Sequence, residues 1–198
     1  MSKLTNCPVI TISREYGAGG RSVARKLSEL LEIPWYDKDF VKATVAHSGF
    51  SEEDVLREGE EMSAKQKFID SILNSMVSYT SSGDAIFQAQ KKEILNLAQQ
   101  PCIIVGRCAN IVLQQAGIPS FDVFLYADME TRLKRAAELN ENGDMDLQRY
   151  IETRDELRAT YHKHYTKTQI GDYHNYDLIL NTGILGFEKC VDIIMHAL

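Results

Sequence analysis

Residues 9–31 constrain this chain more than any other stretch. The segment Val9-Ile-Thr-Ile-Ser13 is short and β-branched, and it runs straight into the turn Tyr16-Gly-Ala-Gly-Gly20. Val23, Leu27, Leu30 and Leu31 then fall at i, i+4, i+7 and i+8, one face of a helix. Strand, glycine-rich turn and helix in immediate succession make a phosphate-binding loop. Glycines let the backbone wrap an anion, and the helix start supplies free N–H groups and its dipole. A strand–helix turn with no ligand needs fewer glycines than Gly17, Gly19 and Gly20 provide.

The remainder repeats the alternation. Ile33–Tyr36, Cys102–Val105, Phe121–Tyr126 and Asp177–Leu180 read as further short strands, apolar on both faces. Asp37 is placed to cap a helix through Val45, and residues 51–100 read as helical with a break at Ser81-Ser-Gly83. Asp128 caps another helix, a polar helix spans about Asp146–Thr166, and Val191, Ile194 and Leu198 mark a closing one. Five strands joined by right-handed crossovers predict a three-layer α/β fold with a parallel sheet. Ligands of such folds sit at the carboxyl ends of the strands, so chemistry is expected after Ser13, Tyr36, Val105, Tyr126 and Leu180.

Composition narrows the partners. The formal charge of −6 comes with the acidic block Glu52–Glu61, which argues against a nucleic-acid binder. No apolar run reaches the roughly 20 residues of a membrane span. Cys7, Cys102, Cys108 and Cys190 form neither a disulfide framework nor a zinc spacing. With no signal-peptide pattern in Met1–Pro8, a reduced, cytoplasmic protein is expected.

Four runs together carry a resemblance: Ile10-Thr-Ile-Ser-Arg-Glu-Tyr-Gly-Ala-Gly-Gly-Arg-Ser22, Trp35-Tyr-Asp-Lys-Asp39, Ile103-Ile-Val-Gly-Arg-Cys-Ala109 and Asn175-Tyr-Asp-Leu-Ile-Leu-Asn-Thr182. From Val9 to about Ile194 the chain resembles the cytidylate-kinase-like family, relatives of the P-loop nucleoside monophosphate kinases. The resemblance implies a single P-loop domain with a helical acceptor-binding insert over about 38–100 and a lid over about 140–172. It also implies transfer of a phosphoryl group from ATP, with Mg2+, to a nucleoside monophosphate such as CMP or dCMP. Gly17, Ala18, Gly19, Gly20, Arg21 and Ser22 would then bind ATP phosphates, and the Ser22 hydroxyl would face the metal or a phosphate. Asp37, Lys42 and Arg107 would bind the acceptor. Arg107 also stands out on its own, because an arginine directly after a buried strand must reach solvent or an anion. Arg154, Arg158, Tyr161 and Tyr165 share a helical face, and the first two resemble lid arginines that close over the transferring group. Arg132 and Arg135 match a further arginine pair, of which Arg132 is assigned to the ATP phosphates.

Two positions depart from the pattern. Against G-x-x-x-x-G-K-[ST], read with its first glycine at Arg14, the lysine falls on Gly20, and Arg21 supplies the missing charge. After the third strand Val105-Gly-Arg-Cys108 has no acid to order magnesium, for which Glu15 and Asp37 are the nearest stand-ins. A P-loop kinase of another small acceptor, or a nucleotide-binding domain without turnover, are the competing readings. Gln88, Gln90, His162 and His164 are expected at the surface, as is an Asp155–Arg158 pair.

Overall fold

The computed structural model describes residues 9–37 and 82–198. The expected Asp37-capped helix and Lys42 lie outside these, as does most of the 51–100 stretch. Along the described chain run β1 (Val9–Arg14), α1 (Gly20–Leu31), β2 (Trp35–Tyr36), α2 (Ser82–Leu97), β3 (Cys102–Val105) and α3 (Ala109–Ala116). They are followed by β4 (Phe121–Tyr126), α4 (Met129–Leu139), α5 (Leu147–Thr166), β5 (Leu178–Asn181) and α6 (Thr182–Ala197). The five strands form one parallel sheet in the order β2-β3-β1-β4-β5.

Strand β1 is central, pairing Val9–Ile12 with Cys102–Val105 and Ile10–Arg14 with Phe121–Leu125. It is buried along its whole length, because both of its faces are covered. The pleat divides its side chains between two cores. Ile10 and Ile12 join Ile103 and Val105 beneath Ala24 and Leu27 of α1 and Cys190, Val191 and Ile194 of α6. Val9 joins Cys102 and Ile104 beneath Phe87 and Ile94 of α2, Val112 and Leu113 of α3, and Tyr161 of α5. This is the predicted three-layer arrangement. None of the described helices is long and apolar enough to cross a membrane.

Helix α3 is absent from the periodicity reading for a physical reason. Every residue from Cys102 to Leu113 is buried and only the closing Gln114–Ala116 is exposed, so no polar stripe recurs along the helix. Helix α6 contains a break at Gly186, whose φ of 73° and ψ of 166° let the chain leave and re-enter the helix.

The segment expected to act as a lid is not uniformly peripheral. Tyr161 and His162 of α5 are 1 % and 2 % exposed, so His162 is no surface residue. Tyr161 donates to Gln90 Oε1 at 2.8 Å, and Tyr165 stacks on Phe87 with centroids 4.1 Å apart. Gln90 is itself buried, against the expectation of a surface glutamine, whereas Gln88 is exposed. Any motion of α5 must therefore pivot on its last two turns. Hydrogen exchange on the ligand-free protein should find the amides of Tyr161–Thr166 protected like those of β1. Fast exchange there would show that α5 detaches as a whole.

Candidate active site

Helices α4, α5 and α6 start on side-chain caps. Asp128 accepts from Thr131 N at 2.9 Å, Asp146 from Arg149 N at 3.0 Å, and Asn181 from Gly183 N at 3.0 Å. Helices α1 and α3 do not. Their N-cap residues, Gly19 and Cys108, are left-handed and contribute no side-chain bond. Both helices follow strands at the carboxyl edge of the sheet, and neither start is closed by a side chain of its N-cap residue.

Around the start of α1 the glycine loop is held tightly. Gly17 and Gly19 have φ of 78° and 84°. A Cβ at Gly17 would lie 2.9 Å from the Arg132 carbonyl oxygen, and one at Gly19 would lie 2.0 Å from the Phe187 ring. The loop opens onto a cavity lined by Gly17, Gly19, Gly20, Arg21 and Ser22, faced by Arg135, Arg154, Arg158 and Phe187. Ala18 is not part of that wall, being fully buried in the core under α1. With the helix beginning at Gly20, the phosphate-loop pattern aligns on Ser22. Gly20 is then its second glycine, Arg21 takes the lysine position, and Glu15 stands at the first glycine. This corrects the alignment that put the lysine on Gly20.

Arg21 Nε forms an ion pair with Asp37, whose other oxygen lies 3.9 Å from Arg14. Asp37 is thus held between two guanidinium groups at the end of β2. Glu15 also borders the cavity, and burial raises its carboxyl above the usual carboxylate range despite Arg132 at 3.5 Å.

Asp155 is no surface partner. Its Oδ1 accepts from the loop amide of Tyr16 at 2.7 Å, its Oδ2 pairs with Arg132, and Arg158 lies 3.9 Å away. The Arg132 guanidinium therefore turns toward Asp155 and Glu15 and does not line the cavity. Its neighbour Arg135 does, donating to Thr182 Oγ1 at 2.8 Å and resting 4.2 Å from the Phe187 centroid.

A second, smaller cavity lies at the start of α3. Arg107 is 1 % exposed, and its Nε and Nη1 have no hydrogen-bond partner among the described residues. Gly106, Arg107 and Cys108 all have positive φ, at 78°, 62° and 56°. Such backbone in non-glycine residues costs free energy and is kept where the surroundings impose it. Arg107, Cys108, Ser13, Tyr161 and His162 line this cavity. Arg14 and Arg158 line both cavities, so the two meet between these guanidinium groups. The arrangement suits an anion on each side with cations at the junction.

Of the residues singled out from sequence, Gly17, Gly19, Gly20, Arg21, Ser22, Arg154 and Arg158 share the first cavity, with Arg107 in the second. Sequence reasoning passed over Arg14, Tyr16, Phe187 and His162. Arg14 carries the signal that marked Arg107, an arginine closing a buried strand. Phe187 carries none, because its approach to Gly19 depends on the Gly186 break.

The model of the cytidylate kinase-like family matches residues 9–184. A cytidylate kinase of Methanothrix thermoacetophila is 27 % identical over 176 residues, covering 88 % of each chain. A crystal structure of an uncharacterized protein from Eubacterium ventriosum superposes with a TM-score of 0.68 at 25 % identity, covering 96 % of both chains. The shikimate kinase of Bacteroides thetaiotaomicron superposes at 0.57 with 16 % identity over 96 % of both chains, a likeness of fold.

Replacing Gly19 with alanine tests the loop. Left-handed strain of about 1–2 kcal/mol adds to about 1–3 kcal/mol for displacing the Phe187 ring. Urea unfolding should show a lowered midpoint, and Ser22→Ala, which removes only a hydroxyl, should leave it nearly unchanged.

Proposed function

From a chain that belongs to the cytidylate kinase-like family, we propose a phosphotransferase that moves the γ-phosphoryl of ATP to a nucleoside monophosphate of the CMP or dCMP kind. The observation that carries this reading is the pair of cavities sharing Arg14 and Arg158, one walled by the glycine loop and the other by the buried Arg107. Donor phosphates rest on the amides of Gly17–Ser22, with Arg21 as the loop's cation in the lysine position. Leu139 and Phe187 add apolar surface to the first cavity, which suits the donor base. The acceptor phosphate takes the two N–H groups of Arg107. Asp37 acts on this side by fixing Arg21 and Arg14, and Lys42 is a further candidate contact.

Charge in phosphoryl transfer spreads over the equatorial oxygens, and fixed donors aimed there supply much of the catalysis. Arg158 and Arg14 stand at the junction, and Arg154 lines the donor side. Arg132 supports the loop through Asp155.

For magnesium, Ser22 and Glu15 line the donor cavity and offer the hard oxygens this ion takes, whereas Asp37 lies between two arginines and is not part of that lining. Ser22 and Glu15 would hold the ion alongside the phosphates. Bound there it neutralises phosphate charge.

A nucleotide-binding domain without turnover is favoured by one observation, Cys108 standing after β3 where the family resemblance calls for an acid. A coupled ADP-release screen over nucleoside monophosphates, with and without Mg2+, separates the two. Turnover with CMP or dCMP and not with purine monophosphates is the expected result. No turnover with any acceptor, alongside measurable ATP binding, would favour the binding domain.

Two substitutions test the roles. Arg107→Ala should weaken acceptor binding by about 2–4 kcal/mol and ATP binding far less, read by separate titrations. Arg154→Ala and Arg158→Ala should each lower kcat by about 10²–10³ with little change in KM, because the contact is strongest in the transition state.

A further inference from the structure

The second cavity holds one group that the transfer reaction does not use. His162 is 2 % exposed and lines the cavity with Arg107, and its Nε2 has no hydrogen-bond partner among the described residues. The state of its ring follows from the other nitrogen. Nδ1 lies 3.2 Å from the Thr168 carbonyl oxygen and 3.1 Å from Thr166 Oγ1. A carbonyl only accepts, and the Thr166 hydroxyl spends its hydrogen on the His162 carbonyl at 2.7 Å. Nδ1 therefore carries the proton. Burial holds the imidazole below the usual histidine range, so the ring is neutral and Nε2 is a bare acceptor.

The groups that line the cavity with it are cations and weak or neutral donors. Arg14 comes from β1, Arg107 and Cys108 from the β3–α3 turn, and Arg158 and Tyr161 from α5 itself. Ser13, Gly106 and Ile170 complete the described wall, and among the described residues no carboxylate lines it. Among the charged groups of the described wall, a second proton on the ring would meet Arg14, Arg107 and Arg158, all positive. An oxyanion that takes the two N–H groups of Arg107 and reaches Nε2 in the same cavity creates the opposite difficulty, because its lone pairs would meet the lone pair of Nε2. One hydrogen must lie between them.

Resting on the acceptor role of this cavity, we propose that His162 is a specificity-determining residue that selects an oxyanion accompanied by one O–H or N–H hydrogen at the Nε2 contact. The hydrogen has two sources. A phosphate monoester brings it as a proton taken from solvent, shared between phosphate and imidazole. A ligand hydroxyl beside the anion brings its own. In both cases a fully deprotonated anion without a neighbouring hydroxyl is refused.

The test uses the whole protein with CMP and, separately, inorganic phosphate. Nitrogen-15 resonances of His162 should show Nε2 unprotonated in the free protein and shifted at saturation with either probe. Calorimetry in two buffers of different ionisation enthalpy, near pH 8, distinguishes the sources. Uptake approaching one proton per site, with Kd rising about tenfold per pH unit, identifies the solvent proton. No uptake with CMP, with His162→Leu weakening CMP tenfold or more and His162→Gln restoring it, identifies a ligand hydroxyl. His162→Gln keeps an acceptor that cannot titrate, so it abolishes the proton linkage in the first case.

Three results overturn the proposal: Nε2 already protonated in the free protein, Nε2 unmoved at saturation with both probes, or no binding of either probe. The first two are read on the wild-type protein and do not depend on a variant folding. CMP bound with Nε2 unmoved leaves the kinase reading standing while this one falls. Phosphate bound with Nε2 shifted, and CMP refused, does the reverse.

Discussion

One carboxylate joins the parts of this site that come from distant stretches of chain. Asp155, on α5, accepts from the Tyr16 amide, pairs with Arg132 on α4 and lies beside Arg158 on its own helix. The glycine loop has no regular hydrogen-bond ladder to fix its shape, so its conformation rests on such single contacts. Tyr16 adds a second tie through its hydroxyl, which donates to Glu141 Oε2 at 2.8 Å, and a third through its ring, edge-on to Tyr150. Without Asp155 the nearly buried Arg132 would lose its short ion pair and keep, among the described carboxylates, Glu15 at 3.5 Å. Loop and helix are therefore one mechanical unit.

The distribution of helix caps explains where that unit works. Side chains close the starts of α4, α5 and α6, and left-handed backbone opens the starts of α1 and α3. Leaving two helix ends without a side-chain cap costs stability, and among the helix starts whose caps are described that cost falls at the carboxyl edge of β1 and β3. The central position of β1 brings those ends side by side, with Arg14 and Arg158 between them.

Much of this was legible in the sequence where a periodic pattern or a conformational requirement left a mark. The β1–loop–α1 unit declared itself through β-branched residues, glycines and a helical stripe. The strands showed as short apolar runs, and Arg107 stood out as a charge with nowhere to go. What stayed hidden was burial without a pattern. Helix α3 has no recurring polar stripe to set a period. Gln90 and His162 are polar residues whose partners, Tyr161 and Thr168, lie on other turns of the fold or beyond a helix end. Asp155 and Arg158 carry helical spacing that suits a solvated pair equally well, and only the approach of the loop distinguishes the two. Phe187 reaches Gly19 through a break that a single glycine permits but does not announce.

The packing of α1 has a consequence for how the chain comes off the ribosome. Val23, Ala24 and Leu27 are covered by Cys190, Val191 and Ile194 of α6, and β4 gains its outer neighbour only when β5 is made. The first helix to be synthesised thus waits for the last of those described before its apolar face leaves water. Until then the nascent chain carries an exposed hydrophobic stripe and an unpaired sheet edge, the features that chaperones bind and that drive aggregation. A chain stopped before α6 would retain the glycine loop and the arginines up to Arg158 and still leave the α1 side of the sheet uncovered.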